Sequence, residues 1–249
     1  MSPSADSSAG IRFRDVSFSF APGRPVLDNL NLSVEPGETV VLLGRSGSGK
    51  TTTMKLINRL REPTSGSVLV EGKATTDWDP IRLRRHIGYV IQEVGLFPHF
   101  SVSENVALVP SLEGWDPDRI WARVREMLDL VGLAPDDFGS RYPSQLSGGQ
   151  RQRVGVARAL AADPSVLLLD EPFGALDPIT RSEIRKEFRS LQRRLGKTTV
   201  FVTHDVAEAF ALADQIGLMT NGKLTALVSP DEFSELDDPE ARKFMESLT

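Results

Sequence analysis

The stretch Gly44-Arg45-Ser46-Gly47-Ser48-Gly49-Lys50-Thr51 decides how the rest of the chain is read. It fits the pattern G-x-x-x-x-G-K-[ST], and its surroundings suit that pattern: the apolar run Thr39–Leu43 predicts a strand before it, and Lys50 to about Leu60 predicts a helix after it. Glycines at these positions let successive backbone N–H groups turn inward at a helix N-terminus, forming a nest for an anion. Lys50 would then reach the outer phosphates of a nucleotide, and the Thr51 hydroxyl would ligate Mg²⁺. The plainer alternative is a glycine-rich turn that merely starts a helix. The length of the pattern and its strand–loop–helix setting favour the phosphate loop.

Outward from the loop, strand-like runs of β-branched and apolar residues occur at Ile11–Phe20, Val68–Val70, Gly88–Gln92, Val166–Asp170, Thr198–Thr203 and Ile216–Met219. The runs before Asp170 and Thr203 are apolar without alternation, which suits strands covered on both faces in a parallel sheet. Helical periodicity places Ile120, Val124, Met127, Leu128 and Val131 on one face of Pro117–Val131, with Gly132 as a stop. A second amphipathic helix is predicted over Thr180–Leu195, where Ile184, Phe188, Leu191 and Leu195 share a face before Gly196.

The expected organisation is a Ser- and Ala-rich disordered tail over residues 1–10, then one α/β nucleotide-binding domain over 11–249, with a helical stretch at about 93–163 inserted in it. The 249 residues are 40% hydrophobic and 25% charged, which is ordinary for a globular protein. A net charge of −5 gives no reason to expect nucleic acid as the main partner, and the absence of Cys excludes disulfides and thiolate metal sites. No run reaches the roughly 18 apolar residues of a membrane helix.

Leu146-Ser147-Gly148-Gly149-Gln150 precedes the helical segment Arg151–Ala162. A hydroxyl and two glycines at a positive helix end form a second candidate phosphate site. Alone the five residues could be a helix cap with permissive glycines. Beside the phosphate loop they suggest that each half of a dimer serves the other's nucleotide. Asp170 ends a buried strand, where a carboxylate can hold Mg²⁺. Glu171 follows at the tip, placed to polarise an attacking water. His204 closes the strand Thr198–Thr203 and could donate to a γ-phosphate, whereas His86 and His99 read as structural residues. Gln92 also ends a predicted strand.

Together these residues resemble the ATP-binding subunit of ABC transporters over nearly the whole chain, about Ile11 to Leu248. The resemblance implies a P-loop NTPase (RecA-like) core with an antiparallel β subdomain and a helical insertion, binding ATP and Mg²⁺. It makes Ser147, Gly148, Gly149 and Gln150 the signature, Asp170 the metal-holding carboxylate, Glu171 the catalytic one, Gln92 the Q-loop glutamine and His204 the switch histidine. Asp177 belongs to the D-loop Ala175-Leu176-Asp177, and Thr52 joins Thr51 beside the phosphates. Phe20 falls at the aromatic position that stacks on adenine, where the family more often has Tyr.

Met54–Pro63, Tyr89–His99 and Pro172–Arg181 resemble, more narrowly, the importers of quaternary-amine osmoprotectants such as glycine betaine, choline and carnitine. That likeness implies a homodimer or pseudo-dimer of ATPase subunits, peripheral on the cytoplasmic face of the cell membrane. It further implies an integral membrane permease, indirectly a substrate-binding protein, and no nucleic acid. Val94, Leu96, Phe97 and Pro98 are expected to line a groove for the permease, against the alternative that they pack the helical insertion. Importers of other polar solutes and soluble ABC-type ATPases are the competing readings. The chain stops about twenty residues past Ser229-Pro230, so the paired regulatory modules of many osmoprotectant members are expected to be absent or to lie elsewhere.

Overall fold

The computed structural model describes residues 10–21, 23–92, 95–174 and 176–248. The expected tail (apart from Gly10), the groove residue Val94 and the D-loop residue Ala175 therefore lie outside the described residues. The chain divides into two compact units, one of residues 1–84 with 196–249 and one of residues 85–195.

Up to residue 86 the elements are β1 (Ile11–Ser19), β2 (Pro25–Val34), β3 (Thr39–Leu43), α1 (Lys50–Ile57), β4 (Ser65–Val70), β5 (Lys73–Ala74) and α2 (Pro80–His86). Then come β6 (Ile87–Val90), α3 (Val102–Leu112), α4 (Pro117–Leu130), α5 (Pro135–Phe138), α6 (Gly148–Leu160), β7 (Val166–Asp170) and α7 (Pro178–Leu195). The chain finishes with β8 (Thr198–Thr203), α8 (Val206–Leu212), β9 (Gln215–Thr220), β10 (Lys223–Val228), α9 (Pro230–Ser234) and α10 (Pro239–Glu246).

In the first unit an antiparallel sheet runs in the order β2-β1-β4-β5. Beside it, β3 lies between β8 and β9, parallel to both, with β10 antiparallel on β9. Every residue of β3 and of β8 is buried, the signature of strands covered on both faces. Such strands consist almost wholly of apolar and β-branched residues, which is why their bounds agree with the sequence reading. The start of β3 is pinned by Asp214, whose carboxylate accepts from the Thr39 N–H at 2.8 Å.

The second unit joins the parallel pair β6–β7 to a group of helices in which α3, α4 and α6 pack on one another and α6 packs on β6. Gly88 in β6 permits that approach, since a Cβ there would stand 2.6 Å from the Ala159 carbonyl oxygen of α6. One correction to the sequence reading falls here. Strand β6 stops at Val90, where its pairing with Leu169 of β7 ends, so Gln92 occupies a turn beyond the strand and does not end it. Asn105 in α3 is fully buried and holds the segment before the helix. Its side chain accepts from the Phe97 N–H at 2.8 Å and donates to the carbonyls of Phe97, Phe100 and Ser101. The backbone there is fixed while the Phe97 ring, T-shaped to His99 and tilted against Phe100, remains exposed.

Candidate functional site

The phosphate loop lies in the first unit, between β3 and α1. Three glycines do separate jobs. A Cβ on Gly44 would stand 2.4 Å from the Met219 carbonyl oxygen, so only glycine fits beside β9. Gly47 and Gly49 hold φ of +81° and +105°, the left-handed region that glycine enters without strain. Gly49 is the residue before α1, and as a glycine it offers that helix no side-chain cap, so the N–H groups of the first turn face the loop at a positive helix end. The Ser48 Oγ, buried inside the loop, has no hydrogen-bond partner among the described residues.

Lys50 is only 5% exposed, and its Nζ donates to the carbonyls of Gly44 at 2.6 Å and Arg45 at 2.9 Å. A buried ammonium, an orphan hydroxyl and an uncapped helix start in one turn together fit an anion with several oxygens. Arg45 at the rim is tied to the last helix. Its Nε meets Glu240 Oε2 at 2.8 Å, and Lys243 and Arg45 together hold the Glu240 carboxyl below the usual range.

Phe20 follows β1 and is 67% exposed, while its neighbour on the strand, Phe18, is buried at 6%. The Phe20 ring stands T-shaped on Phe18 at 4.9 Å, and the Arg61 guanidinium lies 5.4 Å from its centroid. Arg61 has no motif to announce it and was missed in the sequence. His204 is exposed at the junction of β8 and α8, also in the first unit.

The second unit carries Gln92, residues 147–150, Asp170, Glu171 and Asp177. Asp170, buried at the end of β7, accepts from the Tyr89 hydroxyl at 3.4 Å. Burial first, and then the Asp170 carboxylate, push the Tyr89 phenol well above its ordinary range, so it remains a donor. Tyr89 is on β6, whose register places it opposite Leu168 of β7, and nothing in the sequence singles it out. Among the described residues no group of three or more His, Asp or Glu could hold a metal. A lone strand-end carboxylate suits Mg²⁺, which is commonly bound through one or two carboxylates plus substrate phosphates.

Glu171 follows in a turn closed by the Gly174 N–H on its carbonyl, at a φ of +44°. This is the left-handed region, costly for a residue with a Cβ. Its Oε2 accepts from the Gln92 Nε2 at 3.3 Å, so two of the expected catalytic residues do meet.

Ser147 caps α6 in a reciprocal box. Its hydroxyl accepts from the Gln150 N–H at 3.2 Å, and the Gln150 Oε1 accepts from the Ser147 N–H at 2.9 Å. The helix-cap alternative is thus realised locally. The two glycines differ: a Cβ on Gly149 would press on Thr180 and Ile184 of α7, whereas Gly148 meets only Leu176, at an ordinary 3.6 Å. Gly149 therefore serves packing, and Gly148 leaves the helix start open. Asp177 caps α7 through the Ile179 and Thr180 N–H groups, and hydrogen bonds from Thr180 hold its carboxyl below the usual range.

Comparison with known proteins shows the family. The family model described as "ABC transporter" matches residues 27–174, and the chain belongs to that family. Among curated proteins, it is 49% identical over 238 residues to the carnitine transport ATP-binding protein OpuCA of Listeria monocytogenes, covering 96% of this chain and 59% of that protein. It is 50% identical over 220 residues to the glycine betaine uptake system ATP-binding protein YehX of Escherichia coli (strain K12), covering 88% and 71%. Among solved structures, a dimeric post-hydrolysis state of the ATP-binding cassette MJ0796 bound to ADP and Pi superposes with a TM-score of 0.78 at 34% identity, covering 88% of this chain and 98% of that one. The chain spans about three-fifths of the length of OpuCA.

The strain at Glu171 is measurable without any ligand. Glu171→Gly and Glu171→Ala both delete the carboxylate, but only glycine accepts positive φ freely. The glycine variant should be more stable than the alanine variant by about 1 kcal/mol in denaturant unfolding. Equal stabilities, or a more stable alanine variant, would show that the backbone at Glu171 is relaxed.

Proposed function

We propose that the chain binds and hydrolyses ATP with Mg²⁺, as one of two paired cassettes that energise uptake of a quaternary-amine osmoprotectant through a separate membrane permease. The observation that carries the ATPase half is the anion cradle of the phosphate loop, with its uncapped α1 start, orphan Ser48 hydroxyl and buried Lys50 ammonium. The cargo rests on likeness to relatives named for carnitine and glycine betaine transport.

In this reading residues 44–49 cradle the phosphates with backbone N–H groups, and Lys50 exchanges its two carbonyl acceptors for phosphate oxygens. Thr51, Asp170 and Gln92 would hold Mg²⁺ through their oxygens, the ion would offset charge on the outer phosphates, and the Thr52 hydroxyl would support the same oxygens. Glu171 accepts a proton from the attacking water; the Gln92 amide on its Oε2 orients the carboxylate. His204 donates to the γ-phosphate. Ser147, Gly148 and Gly149, with Gln150 bracing the cap, address the γ-phosphate of the second cassette, and Asp177 belongs to the same interface.

Residues 11–249 act as one ATPase domain with the helical stretch 93–163 inserted in it. No helix of the described residues is long and apolar enough to cross a membrane. The chain is assigned to the cytoplasmic face as a peripheral subunit, with the permease received at Leu96, Phe97 and Pro98. A binding protein delivers the solute.

Three experiments test this reading. Phe20→Ala should weaken ATP binding several-fold, in line with the roughly 0.5–1.5 kcal/mol of an aromatic pair, while Phe20→Tyr should stay close to wild type. Unchanged affinity in the alanine variant would remove Phe20 from the adenine site. Glu171→Gln keeps the shape without the charge and should accumulate an ATP-bound dimer by light scattering at saturating ATP and Mg²⁺. A monomer under those conditions, with the permease present as well as absent, would contradict paired cassettes. ATPase activity of the reconstituted transporter should rise when glycine betaine, choline or carnitine is presented with its binding protein. A binding protein that ignores all quaternary amines and holds an unrelated solute tightly would overturn the cargo assignment.

A further inference from the structure

The junction of β8 and α8 holds a buried acid that the proposed chemistry does not use. Glu208, on the first turn of α8, is 3% exposed, and Thr203, the last residue of β8, is 2% exposed. Burying a carboxyl is costly unless hydrogen bonds replace its water. Here the Thr203 hydroxyl donates to Glu208 Oε2 at 2.6 Å, a short contact of the kind a charged acceptor makes.

The same hydroxyl oxygen accepts from the Asp205 N–H at 2.9 Å. A backbone N–H can only donate, and the hydroxyl has one proton to give. The one oxygen thus donates its proton to Glu208 and offers a lone pair to Asp205. The circuit closes through Asp205, whose Oδ1 accepts from the N–H groups of Ala207 at 2.8 Å and Glu208 at 3.3 Å. The residue inside the turn from Thr203 to Asp205 is His204, and it alone of the three is exposed. The peptide unit that follows His204 is thus held by the hydroxyl of the residue before it, and that hydroxyl is held by Glu208. For capping α8 alone, Asp205 suffices.

We propose that Glu208, acting through Thr203, is a positioning residue that sets the direction from which His204 approaches the γ-phosphate. The claim rests on the phosphate role given to His204 above, and it adds the element that orients the histidine.

The test uses the purified chain with Thr203→Val, Thr203→Ser, Glu208→Ala and Glu208→Gln, each alone and combined with His204→Ala. Thr203→Val and Glu208→Ala should lower kcat about tenfold or more while KM for ATP stays within about twofold. Thr203→Ser keeps the hydroxyl and Glu208→Gln keeps an acceptor oxygen, so both should regain most of the rate. With His204→Ala already present, none of the four should lower kcat further, because the circuit acts only through the histidine. Losses that add fully to that of His204→Ala, or a fall in ATP affinity that tracks thermal stability, would make the circuit a purely structural one.

A second readout needs no turnover: the imidazole ¹⁵N resonances of His204, one of three histidines and assignable by its own deletion, followed without nucleotide. They should move in Thr203→Val and Glu208→Ala and return in Thr203→Ser. Resonances that stay fixed in all variants would overturn the proposal. If they move as expected while His204→Ala leaves hydrolysis untouched, the phosphate role of His204 fails and its positioning by Glu208 stands.

Discussion

An ammonium group taken out of water governs the first unit. Lys50 is nearly inaccessible, and an unmatched charge at that depth would be severely destabilising. Among its partners are the carbonyls of Gly44 and Arg45, which can turn toward it because the loop backbone enters regions open to glycine. The same turn of backbone starts α1 at a glycine that carries no side-chain cap. One requirement, placing a cation under a loop of amides, therefore fixes the glycine spacing, the buried strand that carries the loop and the helix that follows. Gly44 extends that control to β9, since its Cα lies close against the Met219 carbonyl.

The second unit meets a different constraint, that of aiming acids. Asp170 is held at the end of a wholly buried strand and steadied by the Tyr89 hydroxyl. Glu171 is turned out of the strand by an unfavourable φ and receives the Gln92 amide. Continuing β7 by one residue in extended conformation would have aimed Glu171 along the sheet. The left-handed turn redirects it, so local conformational energy is exchanged for direction.

Strands β3, β7 and β8 were legible to the residue because both faces are buried and, apart from the terminal Asp170, the whole run is apolar or β-branched. Strands β2 and β10 were not. In β2, Asp28, Asn29 and Asn31 interrupt the pattern; Asn29 takes φ +51°, and Asn31 bonds Asp15 across a bulge in β1. Such residues read as a loop when alone. The hairpin β9–β10 did carry a signal, Asn221-Gly222, both at positive φ, which is the sequence a tight two-residue turn selects. Helix α3 was obscured by Pro110 within it. For the site, motif residues were legible as single positions, but their supports were not. Tyr89 and Arg61 belong to no pattern. Glu208 could have been noticed as an acid on the same helical face as Asp205, Ala209 and Leu212, the last two buried.

Asn105 gives the segment ahead of α3 an unusual standing. The Phe97 backbone is clamped from both its N–H and its carbonyl by a side chain that water does not reach, while the ring is left facing outward. A loop that must order itself on docking loses conformational freedom at that moment and associates slowly or weakly for it. Here that freedom was already surrendered when the helix folded, so a surface meeting Phe97 encounters a rigid edge and not a searching chain. A rigid edge of this kind gives little slack to whatever surface presses on it.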